Sequence, residues 1–121
     1  MSLTSIMPPH TPIHRFGKDL TTGSYDLIVL DVLREGPAYG YEIRRRIFTQ
    51  SRGTIAWQSG TLYRVLGDLE RRGLVRSAWQ GRRHGRQRHY YRLTSAGQRA
   101  WREQRAQWAQ FSRAVNALLG L

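Results

Sequence analysis

The chain has 121 residues, enough for one domain with a single modest core and too few for a second. Its 40% apolar and 11% aromatic content excludes disorder of the whole chain, and 20 Lys+Arg against 8 Asp+Glu gives a net charge of +12 that implies an anionic partner. With no cysteine there is no disulfide framework, no thiolate zinc site and no cysteine nucleophile, so the expected location is cytoplasmic.

Residues 1–20 hold three of the four prolines and show no clear period, so they read as an N-terminal arm without assigned structure. No signal-peptide pattern appears there, and the longest unbroken apolar run, Leu27 to Leu30, is too short to span a bilayer. Thr22 or Ser24 can cap a first helix over residues 25–34, apolar at Leu27, Ile28, Val29, Leu30, Val32 and Leu33 and therefore central. Gly36-Pro37 stops it and starts a second helix over 38–50, whose inward stripe is Gly40, Ile43 and Ile47. Ser59 caps a third helix ending at Gly73. In it Leu62, Val65, Leu66 and Leu69 fall at i, i+3, i+4 and i+7, and Gly60, Arg64, Gly67 and Arg71 lie opposite. An exposed mid-helix glycine costs about 1 kcal/mol against alanine. Gly67 is thus either tolerated or kept for the close approach of another surface.

Residues 74–80 and 88–93 read as two strands around Gly81-Arg82-Arg83-His84-Gly85-Arg86-Gln87, a hairpin with a basic tip. Thr94 caps a last helix of about 25 residues. Along it Trp101, Trp108, Phe111, Val115 and Leu118 repeat at heptad-seam spacing, with Gln104 as the one polar member. So narrow a seam of large groups is hard to bury in one small core, which predicts a dimer.

The charge is local. Residues 1–60 carry seven basic and five acidic side chains, and residues 61–121 carry thirteen and three. Arg71 to Arg92 includes eight arginines and no acid, together with Trp79, Tyr90 and Tyr91. Such clustering is the electrostatic footprint of phosphate binding. The other reading is a solvated surface in an arginine-preferring chain, with nineteen arginines to one lysine. A membrane partner is not expected, because the run lacks a helical apolar face. His10, His14, His84 and His89 are not at metal-site spacing, and no Ser-His-Asp or phosphate-loop pattern occurs. Neither an enzyme nor a metal or other cofactor is expected. Asp68 and Glu70 point in different directions on one helix, and Asp68 at helical spacing can pair with Arg64 or Arg71.

Three helices followed by a basic-tipped hairpin is the order of a winged helix-turn-helix. The expected fold is mainly α with a small β-hairpin wing, residues 21–93, followed by a long C-terminal dimerisation helix, residues 94–121. In that layout the third helix enters the major groove of double-stranded DNA and a dimer meets an inverted-repeat operator. Ser59 and Thr61 stand where hydroxyls and free N–H groups hold a phosphate, Arg64 can fork onto guanine, and Arg82, Arg83, Arg86 and Arg88 supply wing charge.

Gly36-Pro37-Ala38-Tyr39-Gly40-Tyr41-Glu42-Ile43, Gly60-Thr61-Leu62-Tyr63, Leu69-Glu70-Arg71-Arg72-Gly73-Leu74-Val75 and Tyr90-Tyr91-Arg92-Leu93-Thr94-Ser95-Ala96-Gly97 follow in order over roughly residues 24–119. In these motifs the sequence resembles the PadR-like transcriptional regulators. The resemblance implies a homodimeric repressor of the short type, with one C-terminal helix crossing its mate and small molecules loosening DNA binding. It also implies phosphate contacts from the hydroxyls of Tyr39, Tyr41 and Tyr63, for which core packing with one wet edge is the alternative. Of Tyr90 and Tyr91, one should pack inward and one face out beside Arg88 and Arg92. Trp57 and Trp79 are expected at the rim of the core. Trp108, with Phe111 and Trp101 beside it, could sandwich a planar aromatic effector, and a dry dimer interface is the alternative. A reading from another class is a non-specific RNA-binding or nucleoid-type basic protein.

Overall fold

The computed structural model describes residues 24–81 and 87–121. The arm expected over residues 1–20 and the wing arginines Arg82, Arg83 and Arg86 lie outside the described residues. The elements are α1 (Tyr25–Leu33), β1 (Ala38–Tyr39), α2 (Gly40–Gln50), α3 (Ser59–Arg71), β2 (Val75–Gln80), β3 (Arg88–Leu93) and α4 (Ser95–Leu119).

α1 is central, as its near-continuous apolar sequence requires. Val29, Leu30, Val32 and Leu33 are buried, and the helix touches α2, α3, β3 and α4. After it Gly36 takes φ = 134°, a backbone conformation that side chains with a Cβ rarely adopt, and the chain turns into Pro37. Ala38 and Tyr39, expected at the start of the second helix, instead form β1, with Ala38 opposite Tyr91 and Tyr39 opposite Tyr90. Ala38 is fully buried there, which favours the extended pairing over one more helical turn. α2 then starts with Tyr39 as its N-cap, whose N–H donates to Glu42 Oε1 at 3.2 Å.

α3 buries Leu62, Val65, Leu66 and Leu69, the four residues of the predicted stripe. Its N-cap is Gln58, whose carbonyl accepts from Leu62 N–H at 3.2 Å, so Ser59 is the first helical residue and not the cap. The sheet is antiparallel in the order β1-β3-β2, which adds one short strand to the expected hairpin. Register runs from Val75 opposite Leu93 to Gln80 opposite Arg88.

The junction between β3 and α4 is held by backbone groups. Thr94 Oγ1 accepts from Gly97 N–H at 3.0 Å and donates to Gly73 O at 2.7 Å, while Thr94 N–H donates to Leu74 O at 3.1 Å. Gly97 is buried against the end of α3, where an added Cβ would collide with the Leu74 carbonyl oxygen. One apolar cluster joins α1, α2, α3 and the inner face of the sheet, with Trp101 of α4 packed on its edge, and among the described residues no charged side chain is buried as a whole. Beyond Trp101 the helix runs past this core and displays Trp108, Phe111, Leu118 and Leu119 to solvent. The architecture is a winged helix with a long C-terminal helix. Among the described residues no helix is long and apolar enough to cross a membrane.

Candidate nucleic-acid interface

The outward face of α3 is set by the burial of the inward one. With Leu62, Val65, Leu66 and Leu69 in the core, Gly60, Arg64 and Arg71 are exposed and Gly67 is half-exposed. An added Cβ would meet nothing within 4 Å at Gly60 and only Arg71 Nη1, at 3.7 Å, at Gly67. No packing among the described residues therefore demands these glycines, and the reading of Gly67 as a site of close approach points outside the protomer. Asp68 binds Arg71 Nη2 at 3.4 Å and Arg72 Nε at 3.4 Å. It does not pair with Arg64, and among the described residues no carboxylate does. Arg64 thus stands with its guanidinium available to a partner. Ser59 is exposed and Thr61 half-buried at the start of the same helix.

Tyr63 is half-exposed, and its ring lies across Gly40, where a Cβ would collide with the Tyr63 hydroxyl. This contact seats α3 against the first residue of α2, and it is available only because residue 40 lacks a side chain. Tyr41 is exposed on α2. Tyr39 lies elsewhere. Its ring meets Tyr90 edge-on at 5.4 Å and sits 4.5 Å beneath the Arg88 guanidinium, on the outer face of the wing. Tyr91 is the inward member of the tyrosine pair and is buried. Burial, with Tyr63 and Glu70 nearby, pushes its hydroxyl above the usual phenol value.

Trp57 packs edge-on against Tyr25 at 4.7 Å, on the rim of the core as expected. Trp79 does not. It is 63% exposed and stacks flat on His89, its cross-strand partner, at 4.6 Å. His89 is tilted in turn against Tyr91, whose hydroxyl lies 3.4 Å from His89 Nδ1. This exposed aromatic stack, where Trp79 was expected at the rim of the core, is a candidate contact.

The three seam aromatics separate. Trp101 donates from Nε1 to Asp31 Oδ1 at 2.9 Å and is flanked by Arg34 and Arg105, so it fastens α4 to α1. Trp108 and Phe111 come together, ring centroids 6.4 Å apart, beside an open groove of about 370 Å³ also lined by Ser24, Asp26, Leu27, Gln104 and Gln107. Asp26 accepts from Arg72 Nη1 at 3.0 Å and Nη2 at 2.5 Å. Burial nevertheless raises its carboxyl above the usual value, with Arg72 opposing the shift and Asp68 adding to it. A carboxyl of this kind binds its proton more tightly when folded, so its share of stability is present at low pH and is lost as pH rises through the folded value. Relative to Asp26→Asn, the wild-type melting temperature is therefore expected to fall as pH rises through and above the usual carboxylate range. Parallel curves by circular dichroism would contradict that burial effect.

The pattern of the Transcriptional regulator PadR-like family matches residues 29–103, from within α1 into α4. A transcriptional regulator from Clostridium thermocellum is 28% identical, with 85% of this chain and 97% of that one covered and a TM-score of 0.76. A PadR family transcriptional regulator from Eggerthella lenta is 37% identical over 84% of this chain and 86% of its own, with a TM-score of 0.69. A PadR family transcription regulator from Clostridium difficile is 26% identical over 80% and 99% respectively, with a TM-score of 0.71.

Proposed function

This chain belongs to the transcriptional regulator PadR-like family, and from that premise we propose a homodimeric, sequence-specific DNA-binding repressor, not a catalyst, acting in the cytoplasm. The observation that carries the proposal is the outward face of α3, where Arg64 is exposed without a carboxylate partner among the described residues, between two glycines that no internal contact requires. A guanidinium in that position can take guanine O6 and N7 in the major groove, while the bare backbone lets the helix approach closely. Ser59, Thr61, Tyr41 and Tyr63 supply hydroxyls along the two helix starts. Arg82, Arg83, Arg86 and Arg88 supply wing charge over backbone or minor groove.

Residues 21–93 carry the DNA contacts in this reading, and residues 94–121 pair with a second copy, so that two recognition helices meet an inverted-repeat operator. The exposed Trp108–Phe111 pair and its groove suit a flat aromatic effector whose binding between the protomers would loosen the grip on DNA.

The test is binding to an operator selected from random duplex DNA, and to single-base variants of it, across a salt series. Arg64→Ala is expected to lose about 1–3 kcal/mol of discrimination at one base pair. Arg83→Ala should weaken binding to all sequences and reduce the magnitude of the salt slope by about one. If both variants lose affinity alike on every duplex, a non-specific nucleic-acid binder replaces this reading.

A further inference from the structure

Asp68 stands four residues after Arg64, one turn along α3, and at that spacing an arginine and an aspartate on a solvent-facing helix surface are close enough to pair. A paired Arg64 would have to break its ion pair before its guanidinium could reach guanine. Two other arginines stand in the way of that pairing. Arg71 Nη2 lies 3.4 Å from Asp68 Oδ1, and Arg72 Nε lies 3.4 Å from Asp68 Oδ2, so each carboxylate oxygen already has a cation beside it.

The two are not equal. The Arg71 side chain is 72% exposed, and it must be ordered out of solvent to hold Asp68. Arg72, the C-cap residue of α3, donates from both terminal nitrogens to Asp26 Oδ2 on α1. Its guanidinium is therefore fixed by Asp26, and the further contact with Asp68 costs little more side-chain freedom. Arg64 is an exposed chain without such an anchor. Orientation works the same way. On a helix an acid that precedes its base by four residues pairs better than the reverse, which favours Asp68–Arg72 over Arg64–Asp68. Through Arg72, α1 thus decides which cation Asp68 serves.

We propose that Arg72 is a positioning residue for base readout: anchored on Asp26, it occupies Asp68 and so keeps Arg64 free for the major groove. The inference rests on the DNA-binding reading above and adds to it a residue that acts on specificity through Asp68 and not through the base pair that Arg64 meets.

The experiment measures one ratio, the affinity for a selected operator over the affinity for the single-base variant at which Arg64→Ala loses discrimination. Removal of phosphate contacts lowers both affinities alike and leaves this ratio unmoved. Arg71→Gln/Arg72→Gln, which leaves Asp68 to Arg64, is expected to lower the ratio about twofold, the worth of one exposed ion pair at this spacing. Adding Asp68→Asn is expected to return the ratio to the wild-type value. The melting temperature should be below wild type in the double and the triple variant alike, because Asp26 has lost its donors in both, so stability does not account for a restored ratio. An unchanged ratio in the double variant would overturn the inference. So would a lowered ratio that Asp68→Asn fails to restore, which would make the two arginines structural or readers in their own right. Either result leaves the Arg64 reading in place, whereas an Arg64→Ala protein that loses no discrimination at any base pair would sink that reading and this inference together.

Discussion

Gly97→Ala is expected to lower the melting temperature by about 12 °C or more. Gly97 lies in the first turn of α4 with its Cα against the end of α3, and an added methyl would collide with the Leu74 carbonyl oxygen and press on Leu93 Cδ2 at 3.3 Å. Overpacked cores cost about 1–3 kcal/mol when side chains can give way. Here the obstacle is backbone, itself held by Thr94 N–H, so a cost of about 3 kcal/mol or more is expected against a total of about 5–15 kcal/mol. For a chain of 121 residues, between the small-domain and large-domain ranges, each kcal/mol shifts the midpoint by about 4 °C. Gly67→Ala is the matched control. Its methyl meets only a flexible arginine tip, and helix propensity predicts a gain of up to about 1 kcal/mol. Thermal melts of the two variants distinguish them, and a Gly97→Ala protein that melts like wild type would contradict the close contact.

Trp108→Glu is expected to give a monomer by light scattering and to weaken operator binding by about 100-fold, since linking two half-site contacts in one dimer is worth that much or more. α4 leaves the core after Trp101, and Phe111 and Leu118 are 63% and 86% exposed beyond it. A symmetric pairing of this face would bury each tryptophan against the second copy, and the substitution would place two unpaired carboxylates there. The same residue reports on the effector. Saturable quenching of tryptophan fluorescence by a planar dye, lost in Trp108→Ala, is expected if the aromatic pair binds ligand. A variant that stays dimeric with full affinity would remove α4 as the dimer interface.

The helical order, the wing and the inward face of α3 were legible because each buries one side of a regular element. Leu62, Val65, Leu66 and Leu69 carry a period that only a helix against a core explains, and Thr94 marks the start of a capped helix. β1 was illegible because a two-residue strand has no period, and only pairing with Tyr90 and Tyr91 reveals it. Trp79 was expected at the rim of the core beside Trp57, but an aromatic near the end of a strand carries no signal for which of the two is covered, and Trp79 is left exposed on His89. The heptad spacing treats Trp101 and Trp108 as equivalent. Tertiary structure does not, since Asp31 receives the first and solvent meets the second. Helical spacing likewise allowed Asp68 either Arg64 or Arg71. Arg72, reaching both Asp68 and Asp26 across the fold, shows how the acids are shared and why Arg64 is left over.

The Thr94 junction has a mechanical consequence. One hydroxyl engages both the Gly73 carbonyl at the end of α3 and the Gly97 amide in the first turn of α4, and the Gly97 contact removes the remaining slack. These bonds fasten the root of α4 to the turn that follows α3, and the Trp101–Asp31 bond fastens it to α1. A helix of 25 residues extends about 37 Å, so a tilt of about 5° at its root moves its free end by about 3 Å. A load on the far end of this lever is therefore borne at two places, on α1 and on the turn that leads out of α3.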